Sequence, residues 1–248
     1  MSSNNLITIV VPYRPSSEER ISNWNFLKNK LKKELYRLKV QGILEVDSPT
    51  QEWNKPLAIA NGVLQVETPY TAIMDSDVWI PGIRQVLSYV DRNKVPYVIP
   101  HHRTYRLNNQ YSSWVKRNAI DLNNVISVTG ARNLSEQAKK SMPGGGCVVV
   151  KTRILRNAVP FDPRHPSWGN EDHDWWIAAR TMIGIPVDFR LSLIHLYHKP
   201  QFRVSRQFGS TQDELLHKKY KAAYMKKLLM EEILLQAGYE IKKIFPNW

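Results

Sequence analysis

Short β-branched apolar runs mark the first hundred residues, and segments of helical spacing separate them. The run 6–13, Leu-Ile-Thr-Ile-Val-Val-Pro-Tyr, ends in proline and predicts a buried parallel strand that opens into a loop. Over 18–40, Trp24, Leu27, Leu31, Leu35 and Leu38 share one helical face, while Lys28, Lys32, Lys33 and Arg37 lie off it. Gly42–Val46 predicts a second strand. Asn54–Glu67 predicts a helix with Leu57, Ala60, Val63 and Leu64 inward. Tyr70–Met74 reads as a third strand, Pro81–Val90 as a helix and Pro96–Pro100 as another strand. Strands alternating with helices predict an α/β fold with a mostly parallel, Rossmann-like, doubly wound sheet flanked by helices. Ligands of such sheets bind beyond the carboxyl ends of the strands.

The rhythm fades over 101–142, where Asn, Ser, basic and aromatic residues dominate, so a functional loop is expected there. It returns as a strand at Cys147–Val150. From Thr211 to Ala237 the spacing predicts one long helix or two, with Thr211 and Glu214 as a capping box and Gly238 as the stop. Leu216, Tyr220, Tyr224 and Leu228 form a stripe that reads as a docking face. The expected organisation is a main domain over 1–205 and a C-terminal helical extension over 206–248 packed on it.

Composition narrows the partners. Hydrophobic residues make up 42% of the 248, enough for a sizeable core. The formal charge is +13, which favours polyanions such as nucleic acid or an acidic membrane surface. A single cysteine, Cys147, excludes an internal disulfide and a thiolate metal cage. It reads as a buried small hydrophobe. There is no basic, then apolar leader, and no apolar run of about 20 residues, so a soluble cytoplasmic protein is expected.

Four groups of residues carry candidate chemistry. Asp75-Ser-Asp77 follows an apolar strand, where two carboxylates can hold a divalent cation and, through it, a diphosphate. The plain alternative is a turn. The run 168–176, Trp-Gly-Asn-Glu-Asp-His-Asp-Trp-Trp, sets carboxylates beside aromatic walls. One carboxylate could accept a proton from an attacking hydroxyl, and a Trp could face a sugar ring. The same run also suits the acidic first turn of a helix, and both readings can hold together. His195 and His198 follow the run Leu191–Ile194 and could complete a cation site begun by Asp77. Gly144, Gly145 and Gly146 allow close backbone approach or a tight turn, but no P-loop signature follows them.

Taken in order, these pieces resemble the GT-A glycosyltransferases with a Trp-Gly-x-Glu-Asp element. Animal galactosyltransferases and the bacterial chondroitin-polymerase type are similar. The resemblance spans roughly 6–200 and begins with Val11-Pro12-Tyr13-Arg14 and the helix from Asn54 to Gly62. It implies that Pro12, Tyr13 and Arg14 line a nucleotide and that Asp47 meets its base. Asp75 would meet the ribose or the metal. Asp77 would hold Mn²⁺ or Mg²⁺ with His198, or with His195. Arg14 or Lys55 would stabilise the leaving diphosphate of a nucleotide-sugar, with UDP the implied nucleotide. Asp172 would be the general base and Glu171 an acceptor ligand, with inversion at the anomeric carbon. Asn170 stands where many relatives carry a second Gly, which leaves the acceptor open.

Residues 101–117 interleave basic and aromatic side chains between the metal motif and the acceptor motif, as on surfaces that grip phosphates and stack bases. With the net charge, this makes a hydroxymethylated pyrimidine in DNA the leading acceptor, as for some phage enzymes. Arg103, Arg106, Gly145, Gly146 and Trp168 are then the expected acceptor contacts beside Glu171. A cell-surface polysaccharide or glycan is the alternative, and a catalytically inactive nucleic-acid-binding module the second.

Overall fold

The computed structural model describes residues 6–35, 40–125, 134–140, 144–165, 170–199 and 211–248. The strands are β1 (Ile7–Pro12), β2 (Val40–Val46), β3 (Tyr70–Met74), β4 (Val78–Trp79), β5 (Tyr97–Leu107), β6 (Leu134–Lys140), β7 (Cys147–Lys151) and β8 (Val187–His195). The helices are α1 (Glu18–Leu35), α2 (Lys55–Gln65), α3 (Ile83–Asn93), α4 (Asn109–Arg117), α5 (Thr152–Asn157), α6 (Glu171–Met182), α7 (Thr211–Ala223) and α8 (Lys227–Ile244). All eight strands join one sheet, in the order β2-β1-β3-β7-β5-β8-β4, with β6 paired to β5.

The α/β architecture is as expected from the pattern. Its amino-terminal part, β2-β1-β3, is parallel, but the sheet as a whole is mixed rather than mostly parallel. β7 runs antiparallel to both β3 and β5, and β4 runs antiparallel to β8. The runs at β3 and β7 are buried on both faces, so their composition is that of any central strand and carries no direction.

Local sequence explains the packing near the site. Asn54 caps α2, its side chain accepting from Leu57 N at 3.0 Å, and Pro56 follows in the first turn. Gly62 lets α2 lie on β1, because an added Cβ would meet Val10 Cγ1 at 2.5 Å. Val10 and Val63 are fully buried there, each contributing roughly 1.5–3 kcal/mol. Trp24, Leu27, Leu31 and Leu35 bury one face of α1 as the spacing predicts, and Leu38 lies outside the described residues.

Three other expectations change. The segment from 101 is no loop at its start, because β5 continues to Leu107 and α4 follows. Parallel pairing with β8 holds those polar residues in the sheet, so tertiary pairing overrides their weak periodicity. The C-terminal stripe stops early: Leu216 and Tyr220 are buried, but Tyr224 and Leu228 are exposed. The chain turns at Met225, whose φ is 61° and whose N–H donates to Thr181 Oγ1. A new buried row, Met230, Leu234, Ala237 and Ile241, then serves α8. Gly238 stops nothing, because it lies inside α8. The Thr211 side chain and the 205/206 boundary fall outside the described residues. Residues of α7 and α8 share a core cluster with Trp175, Ile177 and Ala178 of α6. No described helix is long and apolar enough to cross a membrane.

Candidate active site

Beyond the carboxyl ends of β1 and β3 lies a cleft of about 180 Å³. Pro12, Trp53, Lys55, Asp75 and Asp77 line it, together with Thr104 and Arg106 of β5, Gly145, Gly146, Glu171, Asp172 and His195. This is where an α/β sheet of this order presents its ligands.

The Asp75–Asp77 turn joins β3 to the two-residue strand β4. Pairing of Val78 with His195, and the Leu196 N–H donating to Asp77 O at 2.9 Å, bring both histidines to Asp77. His198 Nε2 lies 3.1 Å from Asp77 Oδ2 and His195 Nε2 lies 3.7 Å from Oδ1. Side-chain atoms of all three lie within 4.8 Å of one another, a spacing that suits one metal ion. His198 Nδ1 faces Lys199 O at 2.8 Å. A proton donated there leaves Nε2 as the nitrogen available to a cation. Burial alone would raise the Asp77 carboxyl, yet His195, His198 and Arg20 hold it well below the usual range. Burial pushes His195 below its ordinary value, against the pull of Asp77.

Across the cleft, the first turn of α6 carries Glu171, Asp172 and Asp174, as the helix dipole favours. Lys55, at the start of α2, reaches into this group. Its Nζ lies 2.9 Å from Asp75 Oδ1, 3.0 Å from Asp172 Oδ1 and 3.7 Å from Glu171 Oε1. Burial would lower Lys55, but Asp172, Asp75 and Glu171 raise it well above its ordinary value. One ammonium cannot neutralise three carboxylates. Burial, with Glu171 and Asp75 nearby, pushes Asp172 up to about 8 against the pull of Lys55. A carboxylate so raised is suited to accept a proton near neutral pH.

The glycine turn before β7 sets the spacing between the two sides. Gly146 O accepts from Asp75 N at 2.9 Å. An added Cβ on Gly144, at φ +89°, would meet Asp172 O at 2.6 Å, and one on Gly146, at φ +81°, would meet Leu193 Cδ1 at 2.4 Å. His101 packs behind the turn, its Nε2 2.7 Å from Gly145 O. Burial lowers His101 to about 4, so a neutral ring donates there.

The structure thus brings together Pro12, Lys55, Asp75, Asp77, Gly145, Gly146, Glu171, Asp172, His195 and Arg106, with His198 bonded behind. Arg14 and Asp47 are occupied differently. Arg14 Nε donates to Asp47 Oδ1 at 2.8 Å, and its other nitrogens hold Ser48 O, Thr50 O and Gln51 O. The guanidinium lies 5.5 Å from the Trp53 ring centre, so Arg14 shapes the loop after β2. Tyr13 lies beside it, half-buried against Trp24. Arg103 is exposed and does not line the cleft, whereas Arg106 does. Trp168 lies outside the described residues.

Sequence reasoning missed Arg20, whose Nη1 lies 3.9 Å from Asp77 Oδ2 and whose Nη2 lies 3.4 Å from His198 Nε2. It also missed Trp53 in the cleft wall and His101 behind the glycines. Arg20 is one basic residue among many in and around α1 and only docking sets it apart. Trp53 had a local signal, since it directly precedes the Asn54 cap.

No protein-family model matches the chain, and no curated protein matches it. Solved structures do. The catalytic domain of Drosophila β1,4-galactosyltransferase 7, in complex with xylobiose, overlays with a TM-score of 0.49 at 12% identity, covering 84% of this chain and 81% of that one. Glucosyl-3-phosphoglycerate synthase from Mycobacterium tuberculosis, in complex with Mn²⁺, UDP and glucosyl-3-phosphoglycerate, overlays with a TM-score of 0.48 at 13% identity, covering 91% and 80%. At such scores the overlay assigns no function, and the cleft residues have to carry it.

Proposed function

We propose that the chain is a metal-dependent glycosyltransferase of the GT-A type that moves a sugar from a nucleotide-sugar to an acceptor hydroxyl. One observation carries this reading. A single cleft sets an Asp–His–His cation site near the buried Glu171 and half-buried Asp172 at a helix start, with Lys55 bridging Asp75 and Asp172. The donor set fits a divalent cation, with carboxylate oxygens from buried Asp77 and imidazole nitrogens from His195 and His198. Mn²⁺ or Mg²⁺ bound there would neutralise the nucleotide diphosphate and polarise its bond to the sugar.

The other steps belong to the chain's own groups. Asp172 takes the proton of the acceptor hydroxyl as its oxygen attacks the anomeric carbon. The new C–O bond forms as the C–O bond to the diphosphate breaks, from the opposite face, so the configuration inverts. Glu171 positions the acceptor. Lys55 and Arg106 supply positive charge facing the leaving group. Lys55 also holds Asp172 in place until the acceptor arrives. Pro12 and the loop that Arg14 shapes around Asp47 form the nucleotide side, with UDP as the nucleotide.

For the acceptor, the reading extends to a hydroxymethylated pyrimidine in DNA. The +13 charge supports it, as do exposed Arg103 and Arg117 and the stacked pair Tyr111–Trp114, with Trp114 41% exposed on α4. The test is turnover of nucleotide-sugars with Mn²⁺, with and without hydroxymethylpyrimidine DNA, reading released nucleotide and product mass. Sugar mass added to DNA is the expected result. Nucleotide release without DNA labelling would leave the transferase and move the acceptor to a glycan. Silence with every donor would overturn the enzyme and favour an inactive nucleic-acid-binding module.

A further inference from the structure

A second set of ligands lies outside the cleft, where α6 meets α7. His173 and Asp174 belong to the first turns of α6, and His217 faces them from α7. One side-chain atom of each lies within 4.8 Å of the other two. His217 Nδ1 is 2.5 Å from Asp174 Oδ1, and the His173 and His217 ring centres are 5.2 Å apart. Asp174 is buried, while both imidazoles are half-buried, so the group opens to solvent on one side.

What surrounds these three residues resembles the support of a metal site more than that of a plain ion pair. His165 Nε2 lies 3.2 Å behind Asp174 Oδ2, and His165 Nδ1 lies 2.5 Å from Asp213 Oδ1. Asn170 Nδ2 donates to Asp213 Oδ2 at 3.0 Å. A carboxylate oriented from behind by such a chain is a common outer shell for a ligand. Asp174 Oδ2 is buried against His165, which leaves Oδ1 as the oxygen turned towards His217. His173 is held in turn by stacking on Trp176, at 5.8 Å and 16°.

We propose that His173, Asp174 and His217 bind a borderline divalent cation of the Zn²⁺ class, apart from the cleft and whatever its chemistry. Two imidazoles and one carboxylate suit Zn²⁺, Co²⁺ or Ni²⁺, whereas at the like set in the cleft the oxygens of a bound diphosphate would favour a harder ion. Tetrahedral bonds of about 2.0–2.2 Å place ligand atoms about 3.3–3.6 Å apart. The His217–Asp174 contact therefore opens by about 1 Å on binding, within reach of a rotamer adjustment. The ion takes the place of the proton between His217 Nδ1 and Asp174 Oδ1, and on a neutral ring that proton moves to Nε2. A fourth position stays open on the solvent side. The bound ion would tie α7 to the turn that carries Asp172.

The test is Co²⁺ uptake followed by its visible absorption, with displacement by Zn²⁺, on the full chain. The wild type should take up two equivalents and Asp77→Ala one, with the thermal midpoint of Asp77→Ala rising as Zn²⁺ is added. On the Asp77→Ala background, His217→Ala should abolish the remaining uptake. His173→Phe keeps the stack on Trp176 and the Asp174–His217 pair, so it should stay folded by circular dichroism and bind at least tenfold more weakly. The proposal is overturned if Asp77→Ala takes up no Co²⁺ at large molar excess, or if its uptake is unchanged by both histidine substitutions. Loss of the equivalent removed by Asp77→Ala bears on the cleft alone, so the two sites fail separately.

Discussion

Replacing Lys55 with Met removes the one ammonium among Asp75, Glu171 and Asp172 while keeping most of its apolar stem. Contacts of 2.9 Å and 3.0 Å to Asp75 and Asp172 hold it, and its side chain is only 10% exposed. At an effective dielectric near 20, each is worth about 5 kcal/mol of Coulomb energy before desolvation. Breaking a buried pair from one side leaves a net cost of about 3–5 kcal/mol. That cost depends on pH, with a definite sign. Asp172 is raised, to about 8, so between its unfolded value and that pH the native state holds a proton the unfolded chain lacks. Stability from this group is therefore lost as pH rises through the window, by at most about 1.4 kcal/mol per pH unit. Without Lys55, the three carboxylates face one another and the loss steepens. Urea unfolding followed by Trp fluorescence should show Lys55→Met shifted down by about 1–2 M at about pH 8, and by clearly less at about pH 5.5. Equal shifts at both values, or a shift below about 0.3 M at the higher one, would refute the electrostatic account of this cluster.

Three further outcomes follow from the same geometry. Asp77→Ala should lose Mn²⁺-dependent nucleotide-sugar binding, measured by calorimetry, and chelation of the wild type should do the same until Mn²⁺ is restored. Asp172→Asn should keep donor affinity but lose about 10²–10⁴-fold in kcat, while wild-type kcat/KM should rise with pH through about 8 as Asp172 gives up its proton. Unaltered turnover in Asp172→Asn removes it as the base. Gly144→Ala forces a side chain to φ +89° and towards Asp172 O, so its thermal midpoint should drop by the equivalent of about 1–3 kcal/mol and kcat should fall with it. A neutral result would show that the turn does not set the position of Asp172.

Much of this was legible in the chain. The buried runs at β1, β3 and β7 and the 3.6-residue spacing of α1 and α2 are strong local signals. Asp75 and Asp77 stood out as two carboxylates able to share a cation after an apolar strand, and Glu171 and Asp172 as an acidic run flanked by Trp. The rest depended on distance in sequence. Strand direction at β7 and β4 is fixed by partners that no local pattern names. The polar reach of β5 is ordered by β8. The resemblance implies that Arg14 lines the nucleotide, but no local pattern names what its guanidinium holds. Its Nε meets the Asp47 carboxylate, and its Nη atoms meet three carbonyls that come together only once the 47–51 loop has folded. Arg20 reaches Asp77 only when α1 docks, so one basic residue among many gave no hint.

The two-residue strand β4 has a consequence for the order in which a growing chain becomes competent. The parallel trio β2-β1-β3 and both aspartates of the turn leave the ribosome early, but β4 pairs, among the described strands, only with β8, which is made far later. Until then Asp77 lacks both imidazoles, and the first turn of α6 lacks the grip of Asp213 and His217 from α7. A nascent chain can therefore build most of its sheet while Leu193 and His195 of the cleft, and His198 behind it, are still missing. The Asp77 cluster and the brace on the first turns of α6 are therefore completed only when β8 and α7 have been made.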